Sequence, residues 1–260
     1  MKLFYICISL LILSTVLNAQ DTDVKFSVKE YPVLWQQTAA EYRALCYQAF
    51  NIATLRINEI PRKKFRKEKL AIITDLDETI LNNSYSEAQL IKEGKEHSRT
   101  SWKEWTDKSA ASAVPGAVEF LQFAKKKGIS IFYISNRDTN AIQTTLLNLL
   151  NLNLPDANTE HMLFMSNSSS KETRRQIVAT HYNIVMLMGD NLNDFTSFFE
   201  KKPIPDRKIE VDKVKEEWGR KFIVLPNATY GEWENALFNY EQMLNPKQKQ
   251  EILLSLLKGY

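Results

Sequence analysis

The segment Thr74-Asp75-Leu76-Asp77-Glu78-Thr79-Ile80 follows the apolar run Leu70-Ala71-Ile72-Ile73. That run has the length and composition of a short buried strand. Two carboxylates spaced two residues apart at the exit of such a strand are costly to bury unless something pairs with them. A divalent cation together with a phosphoryl group satisfies both. One carboxylate can then hold the metal and attack phosphorus, while the other exchanges a proton with the leaving group.

The elements around this segment must bring other polar groups to it. Strands are expected at Leu70–Thr74, Ile129–Ser135, Met162–Met165, Ile184–Met188 and Phe222–Leu225. Helical spacing runs between them, at Val118–Lys127, Ala141–Leu149, Glu172–Tyr182 and Asp194–Phe199. Strands alternating with helices of this length predict right-handed βαβ units and a mostly parallel sheet. Ligands of such a sheet bind beyond the carboxyl ends of its strands. Three polar clusters fall there: Asp75 with Asp77, Ser135-Asn136-Arg137, and Gly189-Asp190-Asn191.

Other stretches depart from the alternation. Residues 33 to 59 carry apolar positions at helical spacing, and Pro61 with the basic cluster from Arg62 to Lys69 reads as a solvated linker. The run from Ser84 to Ala113 holds Trp102 and Trp105 among many charges, without strand-like alternation, and is expected to form inserted helices. Residues 230 to 257 again have helical spacing, interrupted near Asn245-Pro246. The expected class is α/β: a Rossmann-like, mostly parallel sheet flanked by helices, with a smaller helical insertion. The α/β core takes in about residues 66–82 and 114–230; the helical part takes in about 30–60, 84–113 and 231–260.

An apolar strand leading to Asp75-x-Asp77-x-Thr79, a strand ending in Ser135, then Lys171, then a strand ending in Gly189-Asp190-x-x-x-Asp194 occur in that order. The set resembles the signature of the haloacid dehalogenase (HAD) superfamily of phosphotransferases. Narrower markers are Asp75-Leu76-Asp77-Glu78-Thr79, Ser135-Asn136-Arg137, Gly189-Asp190-Asn191-Leu192 and Pro226-Asn227-x-x-Tyr230-Gly231-x-Trp233. They are similar to those of the class C bacterial acid phosphatases, also called the 5'-nucleotidase, lipoprotein e family. The likeness spans about residues 33 to 240. One short motif would be weak, but four in order with strand context are specific.

The resemblance implies a division of labour. Asp75 would supply a metal ligand and attack phosphorus, giving an aspartyl-phosphate. Asp190 would be a second carboxylate ligand, and Asp77 would coordinate through its main-chain carbonyl. The Asp77 side chain would then protonate the leaving oxygen and later activate water. Ser135, Asn136 and Lys171 would hold the phosphoryl oxygens, and Asp194 would orient waters on the metal. Mg²⁺ is the implied cofactor, since it takes oxygen ligands and keeps several waters. By the same resemblance Trp105 and Tyr230 would face a nucleobase or aryl leaving group; the alternative is that they are core aromatics of the helical part. Lys171 taken singly is a solvated lysine at a helix start, and only the ordered set gives it more.

Composition bounds the rest. The chain has 260 residues, 44% hydrophobic and 25% charged, with a formal charge of +3. So slight a basic excess does not suit a binder of nucleic acid polymers. Residues 1–19 read as a secretory signal peptide: Lys2, an apolar run from Leu3 to Val16, and the small residue Ala19 before Gln20. That run is shorter than the ~20 apolar residues of a membrane span. Cleavage would leave residues 20–260 as an exported phosphatase domain, in the periplasm or secreted, with no stable membrane anchor. Members of the resembled family often carry a lipidated cysteine after the leader, and none stands there. Cys46 alone survives cleavage, so no internal disulfide forms, and a buried inert thiol is expected. His97, His161 and His181 share no metal-like spacing.

The leading expectation is thus an exported Mg²⁺-dependent acid phosphatase acting on small phosphate monoesters, nucleoside 5'-monophosphates first among them. Sugar phosphates on the same fold form the alternative, as does a non-catalytic haem-binding or storage protein. Retention of Asp75, Asp77, Lys171 and Asp190 argues for turnover. Dimers occur in the resembled family, so a homodimer is an expectation too.

Overall fold

A computed structural model describes residues 27–61 and 67–260. The expected leader and part of the basic linker lie outside the described residues. In chain order the helices and strands are α1 (Glu30–Thr38), α2 (Ala40–Glu59), β1 (Leu70–Thr74), β2 (Leu81–Asn82), α3 (Ser84–Glu93), α4 (Arg99–Thr106), β3 (Ser112–Ala113) and α5 (Ala117–Lys126). They continue with β4 (Ser130–Asp138), α6 (Ile142–Asn151), β5 (Met162–Met165), α7 (Glu172–Ala179) and β6 (Asn183–Gly189). The last are α8 (Ile204–Lys213), β7 (Phe222–Val224), α9 (Glu232–Leu237) and α10 (Pro246–Leu256).

Five strands form one sheet in the order β5-β4-β1-β6-β7, every pairing parallel. The chain winds outward from β1 through β4 to β5, then crosses back to β6 and β7. β1 therefore sits at the switch point, with β4 on one side and β6 on the other, and its carboxyl end opens into the crevice where such sheets bind ligands.

Strand periodicity divides the core into two layers. Leu70 and Ile72 of β1, with Ile131 and Tyr133 of β4, pack against Cys46 and Phe50 of α2 and Phe120 and Leu121 of α5. Ala71 and Ile73, with Phe132 and Ile134, meet Val178 of α7 and the aromatic pair Phe195 and Phe199 on the opposite face. Cys46 is fully buried and its thiol is pushed up to about 11 by burial, which matches the inert reading.

Four sequence expectations change. The helix over residues 33 to 59 is two helices, because Ala39 is extended at φ −73°, ψ 126°. The second of them, α2, lies on the sheet beside α5 and β7 instead of with the inserted helices. The helix over Asp194–Phe199 is instead a pair of 3-10 turns, Leu192–Asp194 and Ser197–Phe199, whose caps are the side chains of Asn191 and Thr196. The insertion is not purely helical: β2 and β3 pair antiparallel, Leu81 with Ala113 and Asn82 with Ser112. This two-residue stem ties α3 and α4 to the loop that follows β1, above the carboxyl end of the sheet.

Candidate active site

The loop after β1 is wound tightly. The Leu76 carbonyl accepts from the N–H groups of Ile80 and Leu81, and the Glu78 N–H donates to the Leu81 carbonyl at 2.8 Å. Glu78 has a φ of 57°, an uncommon conformation for a residue with a side chain. The turn drives Asp75, Asp77 and Glu78 into the same small volume.

Asp75 is buried and ion-paired with Lys171, whose ammonium also reaches Asp194 at 2.7 Å. Carboxylate oxygens of Asp75, Asp190 and Asp194 lie within 4.8 Å of one another. Asp190 accepts from the Thr79 hydroxyl at 3.1 Å and from the Asn227 amide at 2.7 Å. Asp194 accepts from the Asn191 N–H at 3.0 Å. Gly189 makes this closure sterically available: a Cβ there would stand 2.2 Å from Asp194 Oδ2.

Electrostatics follow from the crowding. Burial pushes Asp75 up to about 7; the pairing with Lys171 opposes this, but the Asp194 and Asp77 charges add to it. Asp190 is held well above the usual carboxylate range by burial, then by Asp194 and Asp75. Lys171 is raised, since Asp194 and Asp75 together outweigh the opposing effect of its burial. Three hard oxygen donors that repel one another in a water-poor pocket fit a small divalent cation, which would relieve their mutual charge.

Asp77 turns the other way. Arg137 grips it in a bidentate pair, Nη2 to Oδ1 at 2.7 Å and Nε to the two oxygens at 3.1 and 3.2 Å. Asn83 Nδ2 donates to Oδ1 at 2.8 Å, and the Ser135 hydroxyl lies 3.4 Å from Oδ2. Its side chain is thus held on several sides. Arg137 was noted in the sequence only as part of a marker. At 3% exposure, with Nη1 also on Thr145 at 2.9 Å, it is a structural partner of the site.

Asn136 is exposed, and its Oδ1 accepts from Arg174 Nη2 at 2.6 Å. Arg174 also donates to the Ser135 carbonyl at 2.6 Å, so the start of α7 braces the end of β4. Nothing in the sequence singled out Arg174: an arginine in a helical turn reads as solvated.

Trp105 packs on the edge of the core and donates its indole N–H to Asn83 Oδ1 at 2.8 Å. The Tyr230 hydroxyl donates to Glu78, which is 1% exposed and also accepts from the Asn83 N–H at 2.8 Å and Gln36 at 3.2 Å. Trp102 lies over the Arg137 guanidinium, 5.5 Å from ring centroid to carbon. Asn83, Glu78 and Asn227 were missed as site residues because polar residues in turns have a sufficient local explanation.

A central β1 leading into Asp75-x-Asp77, with Ser135 towards the carboxyl end of β4, Asp190 directly after β6, and Lys171 bridging between carboxylates, defines a phosphotransferase of the HAD type. A family model for the HAD superfamily, subfamily IIIB (acid phosphatase), matches residues 12–233. Solved structures of the class C acid phosphatase from Bacillus anthracis, one of them with tungstate bound, share 40% identity with this chain. Each superimposes with a TM-score of 0.84 over 88% of this chain and 96% of the other. The chain belongs to the class C acid phosphatases of the HAD superfamily and is a phosphomonoesterase.

Proposed function

We propose that the enzyme is an exported, Mg²⁺-dependent phosphatase that cleaves nucleoside 5'-monophosphates through an aspartyl-phosphate on Asp75. The observation that carries this reading is the buried Asp75–Lys171–Asp194 array with Asp190 within ligand reach of both carboxylates. Tungstate is a tetrahedral oxyanion like phosphate, and its presence in the Bacillus anthracis relative supports a phosphoryl pocket of this kind. The substrate would be a small phosphate monoester, not a nucleic acid polymer, taken up by a soluble protein that can form a homodimer. Among the described residues no helix is long and apolar enough to cross a membrane.

Asp75 and Asp190, with the Asp77 main-chain carbonyl, would hold the cation, and Asp194, held by Lys171 and the Asn191 N–H, would orient its waters. When bound, it offsets the charge of the carboxylates and of the incoming phosphate dianion. Asp75 attacks phosphorus, the bond from phosphorus to the leaving oxygen breaks, and Asp77 gives that oxygen a proton. Asp77 then takes a proton from water as it attacks the aspartyl-phosphate, releasing inorganic phosphate and regenerating both carboxyl groups.

The donor inventory supports the remaining assignments. A lysine ammonium has three N–H groups. Asp75 and Asp194 take two from Lys171, which leaves one for a phosphoryl oxygen. Arg174 has donors only, so it fixes Asn136 with Oδ1 inward and the amide donors outward. Ser135 accepts from the Arg137 main-chain N–H at 3.0 Å, and its hydroxyl has only the long 3.4 Å contact to Asp77 Oδ2 to give up for a phosphoryl oxygen. Each such donor would contribute about 10²–10³-fold by analogy with oxyanion-binding groups.

Phosphate release from a panel of nucleoside monophosphates, sugar phosphates and aryl phosphates, with EDTA and with added Mg²⁺, tests the reading. Turnover should need the cation and should favour the aromatic esters. Replacing Trp105 or Tyr230 by Ala should lower kcat/KM for nucleotides by roughly 5- to 150-fold more than for sugar phosphates, the loss of one stacking face. Equal losses on both classes would make these aromatics core residues. Mass spectrometry of exported native protein should give Gln20 as the first residue; an intact leader or a lipid adduct would overturn the export reading.

A further inference from the structure

We propose that Asn83 is a positioning residue that locks the Asp77 carboxyl group and the Trp105 indole into one hydrogen-bonded unit, so that a leaving group is seated and protonated together. The inference rests on the reading of Asp77 as the leaving-group acid.

Asn83 occupies the N-cap position of α3, where an asparagine ordinarily accepts from the N–H groups of the first turn. Its side chain makes no such bond. It is instead 1% exposed and directed into the site. The orientation of its amide is decided by its neighbours. The Trp105 indole, at 2.8 Å, and Arg137 Nη2, at 3.5 Å, can only donate, so the atom facing them is Oδ1. Nδ2 therefore faces acceptors, Asp77 Oδ1 at 2.8 Å and Glu78 Oε2 at 3.2 Å.

This arrangement makes the two oxygens of Asp77 unequal. Oδ1 receives Arg137 Nη2 at 2.7 Å, Asn83 Nδ2 at 2.8 Å and Arg137 Nε at 3.1 Å. Oδ2 has only the longer approaches of Arg137 Nε at 3.2 Å and Ser135 Oγ at 3.4 Å. A proton carried for the leaving group therefore belongs on Oδ2, and Asn83 is what saturates the other oxygen. The same amide holds Trp105 from beneath, and Glu78, bonded to Asn83, holds the Tyr230 hydroxyl. Both indole N–H and phenol O–H are turned inward, so the two side chains have only ring faces and edges to offer a ligand.

The test is the dependence of kcat/KM on the leaving group, since that ratio includes the step in which the leaving oxygen departs. Asn83→Ala, Asn83→Asp and Trp105→Phe are assayed with Mg²⁺ on a series from dinitrophenyl phosphate, which needs no proton, to simple alkyl phosphates, which do. Asp77→Asn serves as reference, and circular dichroism confirms folding. The Asn83 variants should fall roughly 10- to 100-fold further on alkyl esters than on the dinitrophenyl ester, part of the 10²–10⁴-fold a positioned acid supplies. Trp105→Phe keeps a ring face but no N–H, and should show the same slope change at about 3- to 10-fold on alkyl esters. Should the Asn83 variants not fold, Trp105→Phe decides alone. A steep Asp77→Asn profile beside wild-type slopes for the Asn83 and Trp105 variants overturns the inference. A flat Asp77→Asn profile overturns the acid role and the inference with it.

Discussion

Asp75 and Asp77 are chemically identical and two residues apart, and their partners alone separate their roles. Asp75 meets a lysine and two carboxylates, an environment that a cation completes. Asp77 meets a guanidinium and an amide, which are already complete without one. Asp75→Asn should therefore abolish phosphate release and also weaken Mg²⁺ binding, seen as loss of the thermal shift on adding the ion. Asp77→Asn should keep that shift while losing turnover, because its proposed metal contact is main-chain. Residual activity above a tenth of wild type in Asp75→Asn would end the aspartyl-phosphate mechanism. Arg137 makes a separate prediction. Its side chain is 2% exposed against 15% for Asp77, so Arg137→Met leaves a carboxylate without its partner in a nearly closed pocket. Urea unfolding should show a loss of about 3 kcal/mol, the scale of a buried pair broken on one side.

At the scale of elements, strand ends do the positioning, and the end of β6 is the most exacting. Asp194 is pinned by Lys171 on one oxygen and by the Asn191 N–H on the other, so it cannot retreat from an added methyl group. A Cβ at Gly189 would lie 2.4 Å from the Asp194 Cβ. Gly189→Ala should preserve the far-ultraviolet dichroism, raise the Mg²⁺ concentration needed for half-maximal activity, and reduce kcat by about 10²-fold, as a displacement of about an ångström does. Wild-type kinetics would show that the loop yields. These strands were legible in the sequence because buried parallel strands are written as apolar runs with polar residues at one end. Leu70-Ala71-Ile72-Ile73 before Asp75 and Ile184–Met188 before Asp190 are of this kind. The β2–β3 stem was not legible, since two residues carry no period and their pairing depends on a partner thirty residues away. Nor was the break at Ala39, where apolar spacing continues across both helices. Asn83 and Arg174 escaped for a related reason: a polar residue in a turn or on a helix signals burial only through what it touches.

For the molecule as a whole, the crowded carboxyl groups tie stability to pH and to metal. Asp75 goes from an ordinary 3.8 up to about 7 on folding, through burial, and Asp190 moves in the same direction. Glu78 goes from 4.5 to about 7, again chiefly by burial and then by the Asp77 charge. Across roughly pH 4 to 7 the folded chain therefore binds protons that the unfolded chain has released, and stability falls wherever the native state binds more protons. Glu172, lowered by its hydrogen bond to Arg175, has the opposite sign, and its effect belongs to the lower end of that range. The metal-free enzyme should accordingly melt at its highest temperature near the acid end of this window and lose stability as pH rises through 7. Added Mg²⁺ competes with protons for Asp75 and Asp190, so its stabilisation should be small at pH 5 and several degrees larger at pH 7.5. Differential scanning fluorimetry at fixed ionic strength, with EDTA or with millimolar Mg²⁺ across pH 5 to 8, measures both slopes. An Mg²⁺ shift that is equal at both ends would mean that Asp75 and Asp190 are not the ion's ligands. A metal-free melting temperature that climbs between pH 5 and 7.5 would mean that their burial does not hold protons.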